Sequence, residues 1–140
     1  MIPLTNDPIL IIHVICEEAF SVTGSKSDVV MIPFTGTAEG PLFQGKIIGT
    51  GVDTQKIPKG GRAFLSARYM LEGKDFEGRE CRIFIENQGE DMNCCTPKVV
   101  TDSAALAELE DLPLKAVVTP SEGGVTVKVY KEDEAWQRSV

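Results

Sequence analysis

What most constrains this chain is its punctuation: extended segments rich in Ile, Val, Phe, Thr and Tyr, separated by short clusters of Gly, Pro, Asn or Asp. Strands are expected at about residues 8–20, 28–34, 42–52, 62–72, 80–87, 114–119 and 124–131, with a further one near 97–100. Between them, Thr23-Gly24-Ser25, Pro58-Lys59-Gly60-Gly61, Asn87-Gln88-Gly89 and Glu122-Gly123-Gly124 supply residues that reverse a chain within a few positions. Parallel neighbours need crossovers of roughly a dozen residues or more, and most of these gaps are shorter. The pattern predicts an all-β, antiparallel meander or barrel of about seven or eight strands.

One segment reads differently. Ala104, Ala105, Leu106, Ala107 and Leu109 favour a helix, Thr101 or Asp102 can cap its start, and Pro113 ends it. A short helix is therefore expected near residues 102–112, with Leu106 and Leu109 as a narrow apolar stripe over one barrel end.

A chain of 140 residues, 42% of them apolar, suits one domain spanning 1–140 with a sizeable core. The formal net charge is −7, and the 14 Lys and Arg are dispersed rather than clustered, which argues against nucleic acid as a partner. The longest apolar run, residues 9–16 with His13 inside it, falls short of the ~20 residues of a membrane-spanning helix. No basic residue precedes that run, so a cytoplasmic setting is expected rather than secretion. There Cys16, Cys81, Cys94 and Cys95 are expected as reduced thiols. The adjacent Cys94-Cys95 lacks the spacing of zinc ligands and has no histidine nearby, so neither a metal nor a cofactor is expected.

No Gly-x-Ser-x-Gly elbow, Walker loop or Gly-x-Gly-x-x-Gly turn into a helix occurs, which removes the commonest hydrolase and nucleotide-binding readings. His13, alone in an apolar strand, is read as a structural residue. Along 62–72, Phe64, Ser66, Arg68 and Met70 share one face, while Ala63, Leu65, Ala67, Tyr69 and Leu71 share the other. A simple sandwich would bury the second face and leave Arg68 wet, whereas a barrel with a polar lumen would turn Arg68 inward. In the next strand Cys81, Ile83, Ile85 and Asn87 oppose Arg82, Phe84 and Glu86, so Arg68 and Glu86 can pair across the hairpin. An inward Arg68 would instead need a charge partner among Glu39, Asp53 and Glu86, forming an anion site or an acid–base pair.

Glu39 is read in a turn between Gly36 and Gly40-Pro41, where it either holds the loop or projects into the barrel mouth. Asp53 follows Gly45, Gly49 and Gly51 and faces the side of the last two; these glycines are read first as bends or bulges that curl the sheet. The candidate ligand-binding residues are thus Glu39, Asp53, Arg68, Glu86 and Asn87, with no catalytic residue assigned.

The run from Pro33 through Gly36-Thr37-Ala38-Glu39-Gly40-Pro41-Leu42, Gly45-Lys46-Ile47, Gly49 and Gly51-Val52-Asp53 resembles a family of small uncharacterised proteins catalogued as a domain of unknown function. Ala67-Arg68-Tyr69-x-Leu71, Ile83-x-Ile85-x-Asn87-x-Gly89 and Thr96-Pro97 look like that family's later landmarks, so the resemblance covers about residues 30 to 100. Residues 105–112 depart from it, because many relatives carry an aromatic-rich segment with Trp-Leu-Asn there. The resemblance implies a single up-and-down antiparallel barrel of about eight strands and no settled substrate. Such a barrel has a lumen that side chains fill or that holds one small ligand.

Three functions remain. The first is a small-molecule-binding barrel for a ligand with an apolar body and an acidic or carbonyl end that Arg68 meets. The second is a cofactor-free lyase, isomerase or cyclase in which Glu39 or Asp53 moves a proton and Arg68 stabilises an oxyanion. The third is a structural module that forms a homo-oligomer through strand edges or an apolar outer patch.

Overall fold

The computed structural model describes residues 7–90 and 95–132, nearly all of them in strands or the turns between. The strands are β1 (Leu10–Cys16), β2 (Phe20–Thr23), β3 (Ser27–Glu39), β4 (Phe43–Pro58), β5 (Phe64–Asp75), β6 (Glu80–Gly89), β7 (Cys95–Thr101), β8 (Leu114–Ser121) and β9 (Gly124–Lys131). From β3 to β9 each strand pairs antiparallel with the next in sequence. β1 then pairs with β9 on one edge and β3 on the other, with Ile12 between Val127 and Ala38. The result is a closed, eight-stranded, up-and-down barrel with β2 as an extra strand. No helix among the described residues is long and apolar enough to cross a membrane.

Period-two alternation fills the interior. Ile12 and Val14 of β1, Tyr69 and Leu71 of β5, Ile83 and Ile85 of β6, and Val127 and Val129 of β9 are all buried. Burying each large aliphatic side chain contributes about 1.5–3 kcal/mol, so this face outweighs any preference of the charged face and fixes which side turns inward.

Three expectations need correction. The strand expected over 8–20 is two strands. β1 ends opposite the start of β9: Cys16 N–H donates to Gly123 O at 3.0 Å, and Glu17 N–H then donates to Pro33 O at 2.8 Å. The chain resumes as β2, whose one pairing among the described residues is with residues 28–31 of β3. Glu39 is the last residue of β3 rather than part of the turn, because pairing with β1 holds the strand straight to its end.

The helix expected over 102–112 is a single 3-10 turn, Ala107–Glu110. So short a segment has little helical stability of its own, and packing onto the barrel decides its geometry. A 3-10 turn stacks residues three apart, and Leu109 N–H donates to Leu106 O at 2.9 Å. Leu106 and Leu109 are consequently both buried, and with Leu42, Phe43 and Leu114 they close that end of the barrel around only about 20 Å³ of apolar space.

Asp75 ties this plug to the wall. Its carboxylate accepts the Ser103 hydroxyl at 2.7 Å and the backbone N–H of Glu77 and Arg79 at 2.9 and 3.1 Å. These donors, the Ser103 hydroxyl first, hold the Asp75 carboxyl below its ordinary range. Ser103 Oγ in turn accepts the Leu106 N–H at 3.2 Å.

Candidate functional site

The opposite end of the barrel is not filled. A cavity of about 180 Å³ enters the lumen there. Its deep wall is buried side chains, among them Val14, Phe34, Tyr69 and Asn87, while Ile32, Asp53, Gln55 and Leu65 nearer the mouth are half-buried and Cys16 is exposed.

Its position follows from where the sequence places small residues. Ile48 of β4 opposes Met70 of β5, but Val52 already opposes Arg68, so Gly49, Thr50 and Gly51 all stand against Tyr69. Gly49, at φ +61, makes this bulge without the strain a side chain would bring. Gly51 leaves room for two rings: a Cβ there would lie 2.5 Å from Phe34 Cε1 and 2.7 Å from Tyr69 Cβ. Phe34 and Tyr69 meet over it edge to face, their centroids 5.4 Å apart at 70°. The next lumen-facing positions of β4 are Asp53 and Gln55. Asp53 pairs with Ala67, and Ala67 pairs with Asn87, so a lone methyl group separates two polar side chains on one row of the sheet. Asp53 and Asn87 are two strands apart, or about 10 Å along the ladder.

Polar capacity in this cavity is largely unmet. Gln55 Nε2 donates to Asp53 Oδ2 at 2.9 Å. Tyr69 is 5% and Asn87 7% exposed, yet neither the Tyr69 hydroxyl nor Asn87 Oδ1 finds a hydrogen-bond partner among the described residues. Burial pushes the Asp53 carboxyl up, with the Gln55 hydrogen bond opposing. Burial, and then the Asp53 charge, push the Cys16 thiol up. Burial above all, and then the nearby Cys95 sulfur, raise the Tyr69 phenol so far that it remains a neutral hydroxyl.

Of the five sequence candidates, Asp53 and Asn87 line this cavity. Arg68, Glu86 and Glu39 are on the outer wall. The lumen position considered for Arg68 is corrected by the register: Leu65, Ala67 and Tyr69 point inward, which turns the intervening Arg68 to solvent, its side chain 64% exposed. There Arg68 Nε meets Glu86 Oε2 at 2.8 Å across the β5–β6 pair. Glu39 does not project into the mouth but meets His13 Nε2 at 3.2 Å on the outside. The cluster of Arg68 with Glu39 or Asp53 is therefore not formed. Tyr69, Gln55, Cys16 and Cys95 were not among the candidates, although each lines the cavity. Tyr69 and Gln55 carried a usable signal: Gln55 is two residues beyond Asp53, and Tyr69 is the one hydroxyl-bearing side chain on its apolar face. Of the paired cysteines, Cys94 lies outside the described residues.

Several solved structures share this barrel. A protein of unknown function from Clostridium acetobutylicum is 22% identical over 89% of this chain and 96% of its own, with TM-score 0.75. A β-barrel-like protein from Acinetobacter baumannii is 18% identical over 94% and 97%, with TM-score 0.71. A protein from Penicillium herquei described as an enzyme is 14% identical over 93% and 100%, with TM-score 0.66. At these identities the likeness is one of fold. No curated protein matches the chain. The model of the family described as "protein of unknown function (DUF3237)" matches residues 5–107, and the chain belongs to that family.

Proposed function

We propose that this barrel binds one small molecule in its open lumen, with an apolar body against Phe34 and Val127 and a polar group toward Tyr69, Asn87 and Asp53. One observation carries this reading: Tyr69 and Asn87, which line a 180 Å³ cavity, each bury a polar atom without a partner among the described residues. Leaving such atoms unmet costs about 1–3 kcal/mol each, an expense a purely structural core avoids. A cavity of roughly 150 Å³ holds a benzene ring, so the ligand is of single-ring size. The placement of Arg68 on the outer wall removes the acidic ligand end from this reading.

A second reading is acid–base catalysis without a cofactor. A carboxylate whose proton affinity is raised by burial, in one cavity with a neutral phenol donor, suits proton transfer at an enolisable or phenolic substrate. The description of the Penicillium herquei barrel as an enzyme adds that such a fold can host catalysis. Arg68 has no part in it.

Thermal unfolding across a panel of single-ring alcohols, phenols, ketones and amines tests the binding reading. A ligand at ~100 times its Kd adds roughly 2.7 kcal/mol, a rise of several degrees for this chain length. The shift should disappear in Asn87→Leu, a variant that keeps a side chain of similar bulk but removes the Asn87 amide. A panel that leaves the melting temperature unchanged would overturn the reading.

A further inference from the structure

We propose that the lumen is selective for small organic cations, a protonated amine on an apolar single-ring body; this rests on the binding reading above and specifies its ligand class. The argument is an inventory of donors and charges. Among the described residues, Asp53 is the one side chain lining the cavity that is charged at neutral pH. A carboxylate accepts up to about four hydrogen bonds, and Asp53 receives one, from Gln55. Asn87 Oδ1 is a second buried acceptor without a donor. Lys46, Lys56, Arg68, Lys74, Arg82 and Lys98, on the four strands β4 to β7, are all exposed on the outer face, and no basic side chain among the described residues lines the cavity. Among the described residues, the other titratable groups lining the cavity are the thiols of Cys16 and Cys95 and the phenol of Tyr69, none of them cationic.

An ammonium group brings what this cavity lacks: a positive charge and three donors. An anion would meet Asp53 with nothing to offset it, in a chain of net charge −7. A neutral alcohol offers one donor and no charge. Phe34 and Val127 then take the apolar ring.

Titration calorimetry at neutral pH with benzylamine, benzyl alcohol and benzoate reads this directly, since the three share one ring and differ in head-group charge. Benzylamine is expected to bind roughly tenfold or more tightly than benzyl alcohol, the usual advantage of a charge-assisted hydrogen bond. Benzoate is expected to bind least. Asp53→Asn should remove the preference, bringing benzylamine down to the level of benzyl alcohol in the same variant. Glu72→Gln on the outer wall removes the same unit of net charge and should leave the benzylamine preference intact. Benzyl alcohol matching benzylamine, benzoate binding tightest, or a preference that survives Asp53→Asn would each overturn the cation assignment and leave the pocket standing. Failure of all three compounds to bind would overturn the pocket as well.

Discussion

Replacing Tyr69 by Phe should make this protein more stable. The substitution deletes one oxygen and keeps the ring, so the edge-to-face contact with Phe34 and the burial of apolar surface are retained. What it removes is a buried hydroxyl with no partner among the described residues. Such a group costs about 1–3 kcal/mol. The void left by the deleted oxygen offsets part of this, which puts the expected gain near the lower end, about 1 kcal/mol. For a domain of this length that corresponds to a rise of about 3–5 °C in Tm. Scanning calorimetry of both forms without ligand reads the shift, and urea unfolding should show a higher midpoint at an unchanged slope. A loss of about 1 kcal/mol or more in Tyr69→Phe would refute the reasoning, because it would mean that the hydroxyl already has a stabilising partner inside the barrel. The same variant should lose ligand-induced stabilisation, so that stability and binding move in opposite directions.

Gly51→Ala should destabilise by about 1–3 kcal/mol, because its methyl group must push aside the Phe34 ring and the Tyr69 Cβ on a rigid wall; urea unfolding within ~0.5 kcal/mol of wild type would contradict that packing. Two carboxyls with shifted pKa should act oppositely with pH. Asp75, held below its ordinary value, contributes stability that is present above the unfolded carboxylate pKa of about 4 and is lost as pH falls through its lower folded value, so Asp75→Asn should flatten the acid limb of Tm against pH. Asp53, pushed up by burial, contributes stability present below about pH 4 and lost as pH rises through its folded value. Asp53→Asn should therefore raise Tm at neutral pH and not in acid, and equal effects at both would refute the assignment.

The sequence by itself determined what is local. Alternating apolar residues marked the strands, Gly and Asn clusters marked the reversals, and the shortness of those reversals excluded a parallel sheet, because hydrogen-bond geometry and chain reach leave few other routes. It also showed that Asp53 shares a face with Gly51, since side-chain direction follows from counting, whereas the bulge takes Gly49 out of that row.

Which face is inside was a different matter. Counting places Arg68 opposite in sense to Ala67 and Tyr69, but not one set in the lumen. That was decided by closure of β1 onto both β3 and β9, which seals one face from water and leaves the charged one wet. The short helix expected over 102–112 is reduced to the 3-10 turn Ala107–Glu110 for a related reason: its residues favour a helix in isolation, but Leu106 and Leu109 are buried on the barrel end at 3-10 spacing. The pairing of Asp53 with Asn87 across Ala67 was legible in neither composition nor motif. Residues 53, 67 and 87 become neighbours only when antiparallel register is set, and register depends on the bulge opposite Tyr69, a tertiary fit of two rings over one glycine.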